Sequence, residues 1–227
     1  MNKAVVLMSG GLDSAVTAAL AKSLGYEVSA LHILYGQRTQ ERELKAFSDL
    51  CDYFGFDNRL IISIDYLKKI GGSSLTDSNK DIEFANLNRS EIPSTYVPFR
   101  NGNILAVATS WAEVLGANAI FIGAVETDSS GYPDCRLDFL YAFEKAINLG
   151  TKPETSIQIH APLINLTKRF VVRLGHNFNV PFELTWSCYR ESEIACGECD
   201  SCALRLRGFK QAGLEDPVPY RIKPNYV

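Results

Sequence analysis

Lys3-Ala4-Val5-Val6-Leu7-Met8-Ser9-Gly10-Gly11-Leu12-Asp13-Ser14 joins a compact apolar, β-branched run to a Gly-Gly turn. An apolar run without polar alternation reads as a strand covered on both faces, and the glycines end it. Past Asp13 the period changes: Val16, Ala19, Leu20 and Leu24 recur at helical spacing, and Gly25 is the C-terminal stop. The stretch is therefore strand, turn, helix. In a doubly wound sheet such a turn lies at the carboxyl end of a strand, where ligands bind. Glycines let the backbone curl, the free amides of the helix N-terminus then point at an anion, and Ser9 and Ser14 add hydroxyl donors. The loop lacks the Gly-Lys-Ser/Thr ending of a P-loop and the third glycine of a dinucleotide fingerprint. A carboxylate beside a phosphate is repulsive unless a cation lies between them, so Asp13 reads as a magnesium contact. The plainer alternative is that Asp13 and Ser14 merely cap the helix.

Outward from this turn, residues 27–34 and 59–64 are strand-like. Between them Thr39 opens a helix whose apolar stripe is Leu44, Phe47, Leu50, Cys51 and Phe54, ending at Gly55. Further helices are predicted at 103–115, 136–149 and 167–178, and strands at 118–124 and 156–161. Alternating strands and helices of this length predict an α/β, doubly wound, mostly parallel sheet covered on both faces. Residues 71–98 carry no sustained period and many Ser, Asn, Asp and Pro; loops of that length are functional or mobile. The expected organisation is an α/β domain over 1–180 with a small C-terminal appendage, 181–227, packed on it.

With 46% hydrophobic residues, 22% charged residues and a net charge of −3 among 227 residues, the chain can bury a large core. It lacks the basic footprint of a non-specific nucleic-acid binder. The run 4–8 is too short for a signal-peptide core, and no stretch approaches the roughly 20 apolar residues of a membrane span. A cytoplasmic protein with no membrane contact is expected.

The six cysteines are unevenly placed. Cys51 and Cys135 stand alone, as a core and a loop residue, while Cys188-x7-Cys196-x2-Cys199-x2-Cys202 puts four thiols within fifteen residues. Clustering of this kind fits metal binding better than a disulfide framework. Four thiolates suit tetrahedral Zn²⁺ in a closed, structural site, and Gly197 eases the turn. A redox pair or an iron–sulfur cluster is the competing reading, disfavoured because the overlapping Cys-x-x-Cys pairs leave no spare attacking thiol.

The Ser9-to-Ser14 motif after an N-terminal strand resembles the loop of the ATP pyrophosphatase (PP-loop) superfamily. Its members cleave ATP between the α and β phosphates, hold pyrophosphate in this loop and transfer AMP to a substrate oxygen. Other segments of high polar density are Tyr35-Gly36-Gln37-Arg38, Val97-Pro98-Phe99-Arg100-Asn101, Gly123-Ala124-Val125-Glu126-Thr127-Asp128 and Ser130-Gly131-Tyr132-Pro133-Asp134-Cys135-Arg136. With the cysteine spacing, they resemble the 7-cyano-7-deazaguanine synthase family of that superfamily, from Ala4 to about Gly213. Ser74-Leu75-Thr76 fits as well. The departure is Phe99, where that resemblance implies Gly before the Arg-Asn pair; a change in packing rather than chemistry is expected.

The resemblance implies an adenine nucleotide alpha hydrolase-like fold and a homodimer. It implies ATP, Mg²⁺ and Zn²⁺ as cofactors, and a reaction that turns 7-carboxy-7-deazaguanine and ammonia into a nitrile through adenylated acid and amide. Met8, Ser9, Gly10, Gly11, Leu12, Asp13 and Ser14 would hold pyrophosphate and Mg²⁺, with Leu31 and His32 near the adenine. Arg38, Arg100 and Lys168 are candidates to neutralise phosphate or substrate carboxylate, and Asp13, Ser14, Arg100 and Lys168 form the candidate catalytic set. Glu126, Asp128 and Asp134 are candidate acceptors for the guanine-like N–H edge, with Tyr132 stacking on the base; turn composition alone also explains that segment. Cys188, Cys196, Cys199 and Cys202 are the metal ligands. The alternatives are a tRNA sulfur-transfer enzyme on the same loop, a glutaminase-fed amidoligase, and a non-catalytic zinc-stabilised nucleotide-binding module.

Overall fold

The computed structural model describes residues 2–126 and 131–226. Its centre is β1 (Lys3–Leu7), which pairs in parallel with β2 (Glu27–Leu34) on one side and β4 (Ala119–Phe121) on the other. β3 (Arg59–Ser63) extends the sheet beyond β2, and β5 (Gln158–His160) extends it beyond β4, both parallel. The order is β3-β2-β1-β4-β5. The chain thus builds outward from β1 to β3 and then crosses back to the other side of β1, so the switch point lies between β1 and β4.

Side chains alternate across the strands, and the two faces collect different helices. Ala4, Val6, Met8, Val28 and Ala30 belong to the core with α1 (Leu12–Ser23), α2 (Gln40–Phe54), α6 (Lys168–Asn177) and α7 (Asp200–Ala212). Val5, Leu7, Leu31 and Ile33 pack instead with α4 (Arg100–Leu115) and α5 (Leu137–Gly150). Both faces of the sheet are covered, as the unbroken apolar strands require. Cys51 is buried in α2.

Several predicted elements shift. The strand expected over 118–124 keeps only three residues: from Ile122 the backbone bonds singly, to His160 and then from Glu126 to Ile164, as it leaves the sheet toward the ligand edge. The helix predicted from 103 starts at Arg100, because Phe99 turns the chain in a left-handed conformation. A short helix, α3 (Tyr66–Ile70), escapes the sequence reading because five residues cannot display a period. Thr39 does open α2, but its hydroxyl donates to the Glu43 carboxylate at 2.7 Å and accepts from no first-turn backbone amide.

The long segment 71–98 is fixed by named bonds. Arg38 donates to the carbonyls of Ser74, Asp77 and Lys80. Farther along, Ala85 donates to the Glu198 carbonyl at 2.7 Å, Asn86 to the Asp200 carboxylate at 2.9 Å, and Arg190 to the Ile82 carbonyl. The segment is a strap whose middle docks beside the cysteine cluster and whose end leads into α4.

Residues beyond 180 pack closely on the sheet's helices. α6 and α7 lie together, and the Trp186 backbone amide donates to the Gly10 carbonyl at 2.9 Å. Arg205 of α7 pairs with Asp216 through two bonds, 2.8 and 2.9 Å, and both side chains are almost wholly buried. Arg205 also donates to Thr185 Oγ1 and the Phe182 carbonyl, so its fork is satisfied. Removing one partner of such a pair strands a buried charge. Asp216→Ala is therefore expected to cost about 3–5 kcal/mol of unfolding free energy, read from the urea midpoint; a change under about 1 kcal/mol would show that the pair carries little.

Candidate active site

At the switch point the sequence forces a tight turn. Gly10 has φ +82°, and a Cβ there would lie 2.5 Å from the Glu43 carbonyl oxygen, so only glycine meets both the conformation and the space. The turn is closed by its own serines: Ser9 N–H donates to Ser14 Oγ at 3.2 Å, and Ser14 Oγ donates to the Gly11 carbonyl at 3.0 Å. α1 begins at Leu12 with Gly11 as its N-cap, which has no side chain to satisfy the first-turn amides. Those amides and the positive end of the helix dipole make an anion site. The segment leaving β4 approaches closely: a Cβ on Gly123 would stand 3.0 Å from the Asp13 carbonyl oxygen and the Ser14 nitrogen.

Lys168, the first residue of α6, is buried, and its Nζ lies 2.7 Å from both carboxylate oxygens of Asp13. Its stem crosses α7 at Gly208, where a Cβ would sit 2.4 Å from Lys168 Cγ.

A cavity of about 270 Å³ opens beside this pair, lined by Met8, Ser9, Gly11, Leu12, Asp13, Ser14, Leu31, Arg100, Tyr132 and Lys168 among others. Its far wall is aromatic and cationic. Arg100 Nη1 donates to Tyr35 Oη at 3.2 Å, and the guanidinium lies 5.3 Å from the Tyr35 ring centre and 5.8 Å from that of Tyr132. Burial pushes the Tyr35 phenol up to about 12 and raises Tyr132 and Tyr189 too, so all three keep their O–H. Burial also raises the Cys135 thiol, to about 11, which leaves it protonated and a poor nucleophile near neutrality.

Thus Met8, Ser9, Gly11, Leu12, Asp13, Ser14, Leu31, Arg100, Tyr132 and Lys168 are brought together, while Gly10 serves the turn from behind. Four other candidates do different work. His32 is buried and stacked on Phe47 at 4.9 Å; its Nδ1 lies 2.8 Å from the Met8 carbonyl, so Nδ1 carries the proton, and burial lowers its pKa. Arg38 fastens the strap, as described above. Glu126 accepts the Leu137 amide at 3.0 Å at the start of α5. Asp134 is buried and accepts the Asn101 amide at 2.7 Å at the start of α4. Asp128 lies outside the described residues.

Other cavity residues were not singled out, among them Glu43, Trp186 and Tyr189. Glu43 had a legible signal. It stands one helical turn before Phe47, at a stripe position of α2 where an acidic residue is out of place.

The four clustered cysteines are buried, and their sulfurs lie within 4.8 Å of one another. Cys196 Sγ is 3.9 Å from Cys202 Sγ, against about 3.8 Å for a tetrahedral Zn–S shell. The amides of Arg190, Glu191 and Cys196 point at Cys188 Sγ at 3.4 Å, and that of Glu198 at Cys196 Sγ at 3.3 Å. Amides aimed at sulfur stabilise thiolate charge, and all six cysteines are free of disulfides. The donor set fits a tetrahedral metal ion.

Residues 3–213 match the family model described as "Queuosine biosynthesis protein QueC". The chain belongs to the QueC family. Its relatives include the 7-cyano-7-deazaguanine synthase of Chloroherpeton thalassium, 57% identical over 225 residues, covering 99% of this chain and 100% of that protein. That of Nautilia profundicola is 55% identical over 223 residues, covering 98% and 100%. Among solved structures, a 4-thiouridine synthetase–RNA complex with bound ATP aligns at TM-score 0.50 and 17% identity. It covers 93% of this chain and 50% of that one, a likeness of fold. The resemblance read from the sequence is borne out, and so is the parallel α/β architecture.

Two outcomes follow for this QueC-family chain. Cys199→Ser is expected to lose bound metal and lower the melting temperature together; full metal content by elemental analysis with unchanged melting would defeat the tetrathiolate site. Alanine in a helix interior is normally about 1 kcal/mol better than glycine. At position 208 the added methyl meets Lys168, so Gly208→Ala should instead melt lower than the parent protein, and a higher melting point would refute the crowding.

Proposed function

We propose that the protein converts 7-carboxy-7-deazaguanine, ammonia and ATP into 7-cyano-7-deazaguanine, as an ATP-dependent C–N ligase of queuosine biosynthesis. The observation that carries this reading is the uncapped start of α1 beside the Asp13–Lys168 pair, at the switch point of a sheet whose relatives carry that name.

The carboxylate oxygen of the substrate attacks the α phosphorus of ATP; the α–β bridge breaks and pyrophosphate leaves. Ammonia then forms the C–N bond as AMP departs with the original oxygen, giving the amide. A second ATP activates the amide oxygen in the same way, and its loss as AMP with two protons leaves the nitrile. The first-turn amides of α1 with Ser9 and Ser14 hold the departing pyrophosphate, and Met8, Leu12 and Leu31 wall the nucleotide. Asp13 is the residue to hold Mg²⁺, which supplies charge neutralisation on the phosphates when bound. Lys168 neutralises Asp13 in the free protein and turns to phosphate oxygens when Asp13 takes a cation, because a buried ammonium requires an anion beside it. Arg100 faces the substrate carboxylate and the adenylate, and Tyr132 offers a ring face to the base. Catalysis is thereby positioning and charge balance.

Residues 1–180 supply the phosphate-binding turn and Lys168, and 181–227 one wall of the cavity and the metal centre, which we assign to Zn²⁺ because four thiolates leave no open position. A cytoplasmic homodimer without a nucleic-acid partner completes the proposal. For the sulfur-transfer reading, the cluster engages four cysteines together, and Cys135 is a protonated thiol.

Purified protein given Mg-ATP, ammonium and the acid should release two AMP and two pyrophosphate per nitrile formed. Asp13→Ala should abolish AMP release while melting near the parent temperature. Substrate-independent AMP release, or none from folded protein, would remove the assignment, and an active Asp13→Ala variant would remove that residue's role.

A further inference from the structure

We propose that Glu43 recognises the two-donor edge of the deazaguanine ring, its N1–H and 2-amino N–H. This rests on the substrate reading above and names the group that selects that ring.

Among the described residues lining the cavity, the carboxylates are those of Asp13 and Glu43. Asp13 is matched to Lys168 at the phosphate end. Of the acidic residues expected at the ring, Glu126 and Asp134 each accept a helix-start amide and stand outside the lining, while Asp128 lies outside the described residues. Glu43 lines the same cavity as Tyr35, Tyr132 and Tyr189, with Tyr35 within reach of its charge.

Its carboxylate is held in place and only half used. Thr39 Oγ1 donates to Oε1 at 2.7 Å and Gln37 Nε2 to Oε2 at 3.1 Å. The Gln37 amide is oriented in turn, because its Oε1 accepts the Tyr35 backbone amide at 2.9 Å. An ionised carboxylate offers about four acceptor positions, so these two donors leave one free on each oxygen. Two parallel N–H donors on one planar edge match that arrangement, as the fork of arginine does. Adenine presents one donor beside one acceptor and does not. Ammonium has donors enough, but the full positive charge of Arg100 already faces this carboxylate, and a second cation would be repelled where a neutral edge is not. Burial makes the choice selective: it raises the pKa of Glu43, against the donors that stabilise the charge, and a ligand that leaves the acceptors empty forfeits the water they gave up.

The test uses the full chain and two substrates, 7-carboxy-7-deazaguanine and its analogue lacking the 2-amino group, 7-carboxy-7-deazahypoxanthine. Wild-type protein is expected to lose about 100-fold in kcat/KM on the analogue. Glu43→Gln puts an N–H where an acceptor is needed. It should lose about 100-fold on the parent acid and distinguish the two substrates by less than about 10-fold. Its KM values for ATP and ammonium should stay near wild type. A variant that keeps wild-type kcat/KM, keeps the full analogue penalty, or raises the ammonium KM instead would overturn the proposal. Should the variant fail to fold, the wild-type comparison still decides, since equal use of both substrates refutes the edge contact. Failure of wild-type protein to turn over the parent acid would remove the substrate reading together with this inference. Turnover without an analogue penalty removes the inference alone.

Discussion

Lys168 and Asp13 are 155 positions apart in the chain, yet the ammonium sits 2.7 Å from both carboxylate oxygens. A buried lysine charge costs several kcal/mol unless an anion compensates it, so the fold at the ligand edge must keep one within reach. Each neighbouring element serves that requirement. β1 delivers the turn, α1 starts at its end, α6 begins with the lysine, and Gly208 of α7 leaves room for its stem. In the proposed reaction a cation held by Asp13 would free the lysine to meet the anion that came with it, so this one ion pair would serve both the resting and the loaded site.

The cysteine cluster bears on the same edge through covalent proximity. Cys188 and Cys202 bracket Tyr189 and Ser201, both cavity residues, and Trp186 just before them bonds the Gly10 carbonyl. The Arg42 guanidinium stacks on the Trp186 ring at 4.5 Å, tying α2 to the same wall. The strap docks on the other flank of the cluster, where Arg89 pairs with Asp200 at 3.2 Å. A metal held by these four sulfurs would therefore fix both the cavity wall and the middle of the strap. Its part would be to hold position, without touching a reacting atom.

The turn at 9–14, the strand–helix alternation and the gathering of four cysteines were legible because each is a local pattern: a period, a glycine pair, a spacing. What stayed hidden depends on contacts between distant segments. Arg38 looks like a phosphate ligand beside Gly36, but three carbonyls of the strap claim it. Asp134 sits in a turn-like peptide and is spent on the start of α4, a partner 33 positions away. Glu43 shows the converse: its helix position hints at burial, but only the folded chain brings Gln37, Thr39 and Arg100 around it. Charged residues near a ligand edge are ambiguous in sequence because the same carboxylate serves a helix start or a substrate equally well.

Phe99 illustrates how a departure from an expected residue is absorbed. It has φ +53°, the left-handed region in which glycine is at ease and a bulky side chain costs about 1–2 kcal/mol. Three compensations surround it. Its amide donates to Tyr96 Oη at 3.0 Å, its carbonyl accepts the Asn103 side-chain amide at 2.8 Å, and its ring meets Phe139 edge-on at 5.6 Å. Such an aromatic pair returns about 0.5–1.5 kcal/mol. The ring has space because residue 102 is glycine: a Cβ there would fall 2.3 Å from Phe99 Cε1. The side chain absent at 102 and the one present at 99 are thus complementary. The left-handed turn that starts α4 survives the exchange, and Arg100, the next residue, keeps its place at the cavity wall.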